Sequence, residues 1–300
     1  VSDIKLFKFS NGTAVPLATE LTELEKHIQV AFERNLETLL GVKLLASEFS
    51  TSHGGRMDTL GIDEDNCPVI IEYKRSKSEN VINQGLFYLD WLMDHKAEFE
   101  LLVTDQIGRE TARNIAWSAP RLICIAADFS KYDEHAVKQI NRNIELIRFK
   151  KFSNDMLVIE LLTAQSASST TQELSPSNKA SVYKTVTSYL DQSDDELKAL
   201  FSQVRDALLS LGEDVQEKTL KFYFAFKRIK NFACVEVKPV ERKILVYLKV
   251  KPDEDLTSQP NIRDVKDIGH FGTGNLEVTI RSQEDLEKYS YLFGISYENS

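Results

Sequence analysis

The sequence predicts an α/β domain followed by a smaller α+β domain, and three observations point to this. Between Leu21 and Leu162, amphipathic helical stretches alternate with short apolar, β-branched runs, as in a sheet covered by helices. Residues 163–180, TAQSASSTTQELSPSNKA, hold almost no large apolar side chain and read as a linker. A long helix and several strands follow it. The expected division is 1–162, a linker at 163–180, and 181–300.

Composition narrows the class. Hydrophobic content of 42% and charged content of 28% describe an ordinary soluble globular chain. No apolar run approaches the ~20 residues of a membrane span, and VSDIKLFKF lacks the pattern of a signal peptide. Cys67, Cys124 and Cys234 are scattered and odd in number, which suits a reducing compartment without a disulfide framework. The expected location is the cytoplasm, with no membrane partner. A net charge of −9 excludes a protein that coats nucleic acid unselectively. Metal ions can neutralise the carboxylates of an acidic site, and any DNA contact must then come from local basic patches.

The elements follow in order. Residues 4–9 alternate and Asn11-Gly12 is a hairpin signal, so two short strands are expected, with Val15 and Leu17 in the second. Residues 21–40 form an amphipathic helix with Leu21, Leu24, Ile28, Ala31, Phe32 and Leu39 on one face and Gly41 as its stop. On that wheel Glu25 looks inward, about 50° from the centre of the apolar face, whereas Glu23, Glu33 and Glu37 point away. A strand at 42–49 and an entry loop at 50–55 lead to the central hairpin, and His53 in that loop reads as a bystander. After the hairpin come a helix at 79–96, a strand at 100–104 and a helix at 111–118. A strand at 122–127, a helix at 133–140 and strands at 144–149 and 157–162 complete the domain. Trp91 packs the core, and Arg109, Arg113 and Arg121 are candidates to reach phosphates.

The chemistry concentrates in the hairpin from Gly54 to Arg75. Val69-Ile70-Ile71 suits a strand buried on both faces, yet it ends in Glu72-Tyr73-Lys74-Arg75. Turning the hairpin about Asp65 sets Asp58 across from Glu72. Opposed like charges destabilise a sheet, and partial burial worsens the repulsion. A divalent cation between them makes the arrangement tolerable, and oxygen ligands suit Mg²⁺ or Mn²⁺. Lys74, roughly 6.6 Å further along the strand, is near enough to hold a water or a phosphate. Gln84 and Tyr88, four apart, share a face of the next helix.

These residues carry a resemblance. Gly55-Arg56-x-Asp58, the acidic turn, and Val69-Ile70-Ile71-Glu72-Tyr73-Lys74-Arg75 resemble the core of the PD-(D/E)XK nuclease superfamily, more narrowly its NucS-like (RecB-like) branch, over about 21–162. The resemblance implies a restriction-endonuclease-like mixed sheet flanked by helices and a Mg²⁺- or Mn²⁺-dependent endonuclease acting on DNA. Asp58 and Glu72 would bind the metal and Lys74 would assist the attacking water. A glutamate of the first helix would be a further ligand: Glu25, with Glu33 or Glu37 as alternates. Gln84 and Tyr88 would border the site and hold Lys74 or the substrate strand, Gln84 steadying the catalytic arrangement, and Arg56 would contact substrate. Cutting of two strands would favour a homodimer. Duplex, flap, mismatch, modified DNA and RNA all stay open as substrates. The rival reading is a nuclease fold kept as a non-catalytic module that binds nucleic acid or a protein partner.

The second domain is expected to hold a helix at 188–211, strands at 220–226, 232–238, 243–250 and 276–280, and a final helix from Gln283. It resembles a small C-terminal domain of unknown role. Residues 215–251 carry ten basic and three acidic residues, a balance of +7, interleaved with Phe222, Tyr223, Phe224, Phe226 and Phe232. Basic strands with aromatics can bind single-stranded nucleic acid, which makes Lys227, Arg228 and Lys230 candidate substrate contacts. The opposite reading puts the aromatics in the core and the lysines in water. The glycine loop after His270 reads as turn chemistry, because a strand rather than a helix follows it.

Overall fold

The computed structural model describes residues 4–20, 25–75, 81–153, 155–165 and 185–300. The chain divides into two compact units, Val1–Thr171 and Gln172–Ser300.

The elements of the first unit, in order, are β1 (Phe7–Ser10), β2 (Thr13–Pro16), β3 (Thr19–Glu20), α1 (Glu25–Glu33), α2 (Leu36–Leu40), β4 (Val42–Ser50), β5 (Arg56–Asp63) and β6 (Pro68–Lys74). Then come α3 (Val81–Asp94), α4 (Lys96–Gln106), α5 (Arg109–Arg113), β7 (Arg121–Ala126), α6 (Lys131–Lys138), β8 (Asn143–Phe152) and β9 (Met156–Gln165). The main sheet has seven strands in the order β3-β8-β7-β6-β5-β4, with β9 on β8. It is mixed: β6, β7 and β8 run parallel, and β4, β5 and β6 antiparallel. This is the α/β fold class expected. The parallel strands read VIIEY and RLICIA and are buried throughout, because helices cover both sheet faces. Phe32 of α1 packs on Tyr73 and Phe149 from one side. Gly85 of α3 packs on Leu122 from the other.

Several expectations are corrected. The helix at 21–40 is two, α1 and α2, with residues 21–24 outside the described residues. Asn35 donates its side-chain amide to the Ala31 carbonyl at 2.9 Å, taking the acceptor its own backbone would have used. Gly41 does stop α2, at φ 65°. Residues 100–104 are helix, not strand: Phe99 and Val103 face the core four apart while Leu101 is exposed. A short apolar run does not reveal its period. The helix at 111–118 is only α5, Arg109–Arg113. Trp91 is buried in the core. Strand β9 continues to Gln165, inside the expected linker, and residues 166–180 lie outside the described residues.

The second unit holds α7 (Val186–Asp191), α8 (Asp195–Leu209), β10 (Gln216–Thr219), β11 (Phe224–Lys227), β12 (Asn231–Lys238) and β13 (Lys243–Leu248). After them come α9 (Glu254–Thr257), β14 (Ile262–Asp264), β15 (Leu276–Ile280), α10 (Gln283–Tyr289) and α11 (Tyr291–Glu298). Six antiparallel strands run in the order β10-β11-β12-β13-β15-β14. Phe201 and Val204 of α8 and Phe293 of α11 share a core with Phe224, Val235, Val246 and Val278 of the sheet. The single helix expected at 188–211 is broken where Asp194 caps α8 by accepting from the Leu197 N–H at 2.8 Å. The strand expected at 220–226 is a hairpin turn plus β11. Among the described residues, no helix is long and apolar enough to cross a membrane.

Candidate active site

The central hairpin is pinned at its turn. Asp63 Oδ1 accepts from the N–H groups of Asp65 (3.0 Å) and Cys67 (2.8 Å), and Asn66 takes φ 58°. From that turn the β5–β6 ladder runs through Ile62–Pro68 to Thr59–Ile71, so the next pair in register is Asp58 and Glu72, as the sequence implies. There backbone pairing gives way to side chains. The Asp58 N–H donates to Glu72 Oε1 at 3.2 Å, and the Tyr73 N–H donates to Asp58 Oδ2 at 3.0 Å. Each carboxylate is thus anchored on the strand of the other.

Glu72 has no solvent exposure. Burial, followed by the neighbouring Asp58 carboxylate, pushes its pKa up to about 8. Burial also raises that of Asp58, against the opposing bond from the Tyr73 N–H. Glu72 Oε2 is buried with no hydrogen-bond partner. Such an oxygen calls for a proton or a cation. One buried and one half-buried carboxylate offering hard oxygen donors fit Mg²⁺ or Mn²⁺.

Lys74 Nζ lies 2.9 Å from Glu25 Oε1. Burial alone would lower the Lys74 pKa, but its bond to Glu25 outweighs this and the shift is upward. Helix α1 therefore brings Glu25 to the site as the partner of Lys74. Among the described residues no three His, Cys, Asp or Glu side chains gather as a ready cation site. Glu33, expected to point away, instead accepts from Thr59 Oγ1 (2.6 Å), Ser47 Oγ (3.1 Å) and Gln29 Nε2 (2.9 Å). Glu37 is on the exposed side of α2. The sequence reading missed Gln29, which is 3% exposed and donates to the Asp58 carbonyl at 2.7 Å. The available signal was spacing: Glu25, Gln29 and Glu33 stand four apart, a polar stripe along one helix face.

Tyr88 is buried, and its hydroxyl accepts from the Arg56 N–H at 3.0 Å and from Gln84 Nε2 at 3.3 Å. Gln84 thus supports Tyr88, not Lys74, and Tyr88 fixes the start of β5. Gly55 is required there: its φ is 93°, and a Cβ would lie 2.9 Å from the Tyr88 hydroxyl. The Arg56 side chain is exposed and paired with Glu48. Arg121, a candidate for phosphate contact, is buried between Asp63 (2.8 Å) and Glu145 (2.8 Å). Its charge is internal to the fold.

In the second unit the basic strands do not present the expected face. Lys227 is buried, at 4% exposure. Arg228 pairs with Asp214 at 2.6 Å and lies over the Tyr297 ring. Lys230 is half-buried and also engaged. Phe224, Phe226 and Phe232 are core residues, and Phe222 stacks on Phe271. The alternation that looked like a binding surface is sheet packing. After His270, which stacks on Tyr247, the chain enters strand β15, as turn chemistry requires.

Comparison with known proteins adds the following. Residues 186–293 match the family model of a domain of unknown function, DUF5655. An uncharacterized protein of Haemophilus influenzae is 30% identical over 294 residues, covering 95% of this chain and 96% of its own. Among solved structures, an EndoMS complex with double-stranded DNA is 19% identical over 44% of this chain, with a TM-score of 0.30. A repair endonuclease from Pyrococcus abyssi is 18% identical over 47%, with a TM-score of 0.28. The matched part spans 49% of the first of these chains and 63% of the second.

Proposed function

This chain belongs to the same family as the Haemophilus influenzae protein, and we propose that its first unit is a divalent-metal-dependent nuclease hydrolysing DNA phosphodiester bonds. The observation that carries the reading is Glu72: a fully buried carboxylate, cross-anchored with Asp58, with one oxygen left without a partner. DNA as substrate rests on the motif resemblance from Gly55-Arg56-x-Asp58 to Glu72-Tyr73-Lys74.

Asp58 and Glu72 would hold Mg²⁺ or Mn²⁺, which when bound supplies Lewis-acid polarisation of a phosphoryl oxygen and a more acidic water. Lys74, kept charged by Glu25, orients the attacking water and offsets charge developing on the phosphoryl oxygens. Tyr88, steadied by Gln84, holds the backbone at Arg56, whose exposed guanidinium meets the substrate backbone.

The test is cleavage of a panel of duplex, flap and mismatched DNA and of RNA, with and without Mn²⁺. Glu72→Gln and Lys74→Met should each abolish metal-dependent cleavage while the protein stays folded. Cleavage unchanged in both would end the reading. One observation favours a second reading, a nuclease fold that binds nucleic acid or a protein partner without catalysis: Glu25 is engaged by Lys74, not gathered with Asp58 and Glu72. A calorimetric Mn²⁺ titration separates the two, since a pure binding module gives no heat that Asp58→Asn removes.

A further inference from the structure

We propose that Gln29 is a positioning residue that fixes Asp58 for cation binding, by supplying the hydrogen bond that strand β4 withholds. This rests on the reading of Asp58 and Glu72 as a cation site. The β4–β5 ladder pairs Ser47 with Thr59 and Phe49 with Met57, so register sets Glu48 opposite Asp58. Glu48, however, has φ 56°, a left-handed conformation that a non-glycine residue adopts only when its surroundings impose it, and the ladder skips the Glu48–Asp58 pair. The backbone polar groups of Asp58 are instead met by side chains: the N–H by Glu72 Oε1 (3.2 Å) and the C=O by Gln29 Nε2 (2.7 Å).

Helix α1 enforces both halves of this exchange. Lys26 Nζ bonds Glu48 Oε1 at 2.6 Å, and Arg56 pairs with the other Glu48 oxygen, holding that residue in its left-handed conformation. Three residues along the helix, Gln29 takes the Asp58 carbonyl. The amide of Gln29 is fully committed: its N–H groups serve Asp58 and Glu33, and its carbonyl accepts from Lys26 at 3.3 Å. Without the amide, the half-buried Asp58 carbonyl loses this partner, and Glu48 returning to extended backbone would supply another. That would draw Asp58 towards β4 and away from Glu72.

The experiment is Mn²⁺ affinity by calorimetry on the full chain, beside urea melts. Gln29→Met keeps the length and removes the donor. It should weaken Mn²⁺ binding about 10- to 100-fold, the usual range for groups that orient metal ligands. Thr59→Val is the control: it breaks the hold of α1 on the adjacent residue, through Glu33, without touching the Asp58 carbonyl. It should lower stability and leave affinity within about twofold. Equal loss of affinity in both variants, or none in Gln29→Met, overturns the proposal. Should Gln29→Met not fold, Gln29→Asn carries the same test, its amide one methylene too short; failure of both to fold would make Gln29 a folding residue and would also overturn it. A wild-type protein that binds no Mn²⁺ refutes the cation site itself, a separate outcome.

Discussion

The two ends of one β-hairpin bury carboxylates in opposite ways. At the turn, Asp63 and Glu145 share Arg121, and every oxygen of the pair has a partner: Arg121 takes three at 2.8 Å and the turn N–H groups take Asp63 Oδ1. Five residues along β5, roughly 17 Å by strand rise, Asp58 and Glu72 meet with no cationic side chain among the described residues bonded to them, and Lys74 turns to Glu25. The closed cluster is a structural solution: its charges are matched inside the fold. The open pair is matched only when something is added, a proton or a metal ion. Buried charge alone does not mark a site; an unanswered lone pair does.

Breaking the closed end should have the largest effect. Arg121→Met leaves Asp63 and Glu145 buried and unpaired, and should cost about 3–5 kcal/mol in a urea melt, with no cleavage defect beyond the loss of folded protein. The open end should respond with the opposite sign. Glu72 holds its proton up to a pKa of about 8 in the folded protein against 4.5 as its ordinary value, so the folded state binds more protons across that window. Metal-free stability is therefore highest below pH 4.5 as far as this group is concerned, and falls as pH rises towards 8, by at most about 1.4 kcal/mol per pH unit. Glu72→Gln should flatten that slope and make the metal-free protein more stable than wild type at pH 8. Denaturant melts at pH 6, 7 and 8 without metal decide it; an unchanged slope would mean Glu72 is ionised at neutrality. Adding Mn²⁺ should restore stability to wild type at pH 8 and do little for Glu72→Gln.

The hairpin was the most legible part of the chain because its signals are local. An Asx-type turn centred on Asp65 fixes register, and register alone brings Asp58 to Glu72. The parallel strands were legible from continuous Val, Ile and Leu. Residues 100–104 were not, because five residues of apolar chain fit strand and helix alike, and only the contacts of Phe99 and Val103 decide between them. Glu33 was misread and Gln29 missed for a different reason. A helical wheel ranks side chains by apolar company, and α1 meets the end of the sheet with a polar stripe where backbone groups need partners. Lys227 and Arg228 show the same limit: composition gives the charge of a strand but not that one of its ammonium groups is buried and its guanidinium already faces Asp214.

Two substitutions at the open end sharpen the comparison with smaller effects. Gly55→Ala forces a Cβ against the Tyr88 hydroxyl at a left-handed position and should cost about 1 kcal/mol, with cleavage reduced through the displaced start of β5. Lys74→Met should barely register in stability. Its partner Glu25 is 41% exposed and is rehydrated once the amine is gone, so the pair contributes about 0–1 kcal/mol. On the proposed function, cleavage should nonetheless disappear, because the ammonium would be the cation that meets charge on a phosphoryl group. Arg121 and Lys74 would then form a matched contrast within one sheet: removal of one cation weakens the fold and spares the chemistry of whatever stays folded, and removal of the other leaves the fold and takes the chemistry. A melt of Lys74→Met shifted by as much as that of Arg121→Met would show that the open end is a second structural cluster.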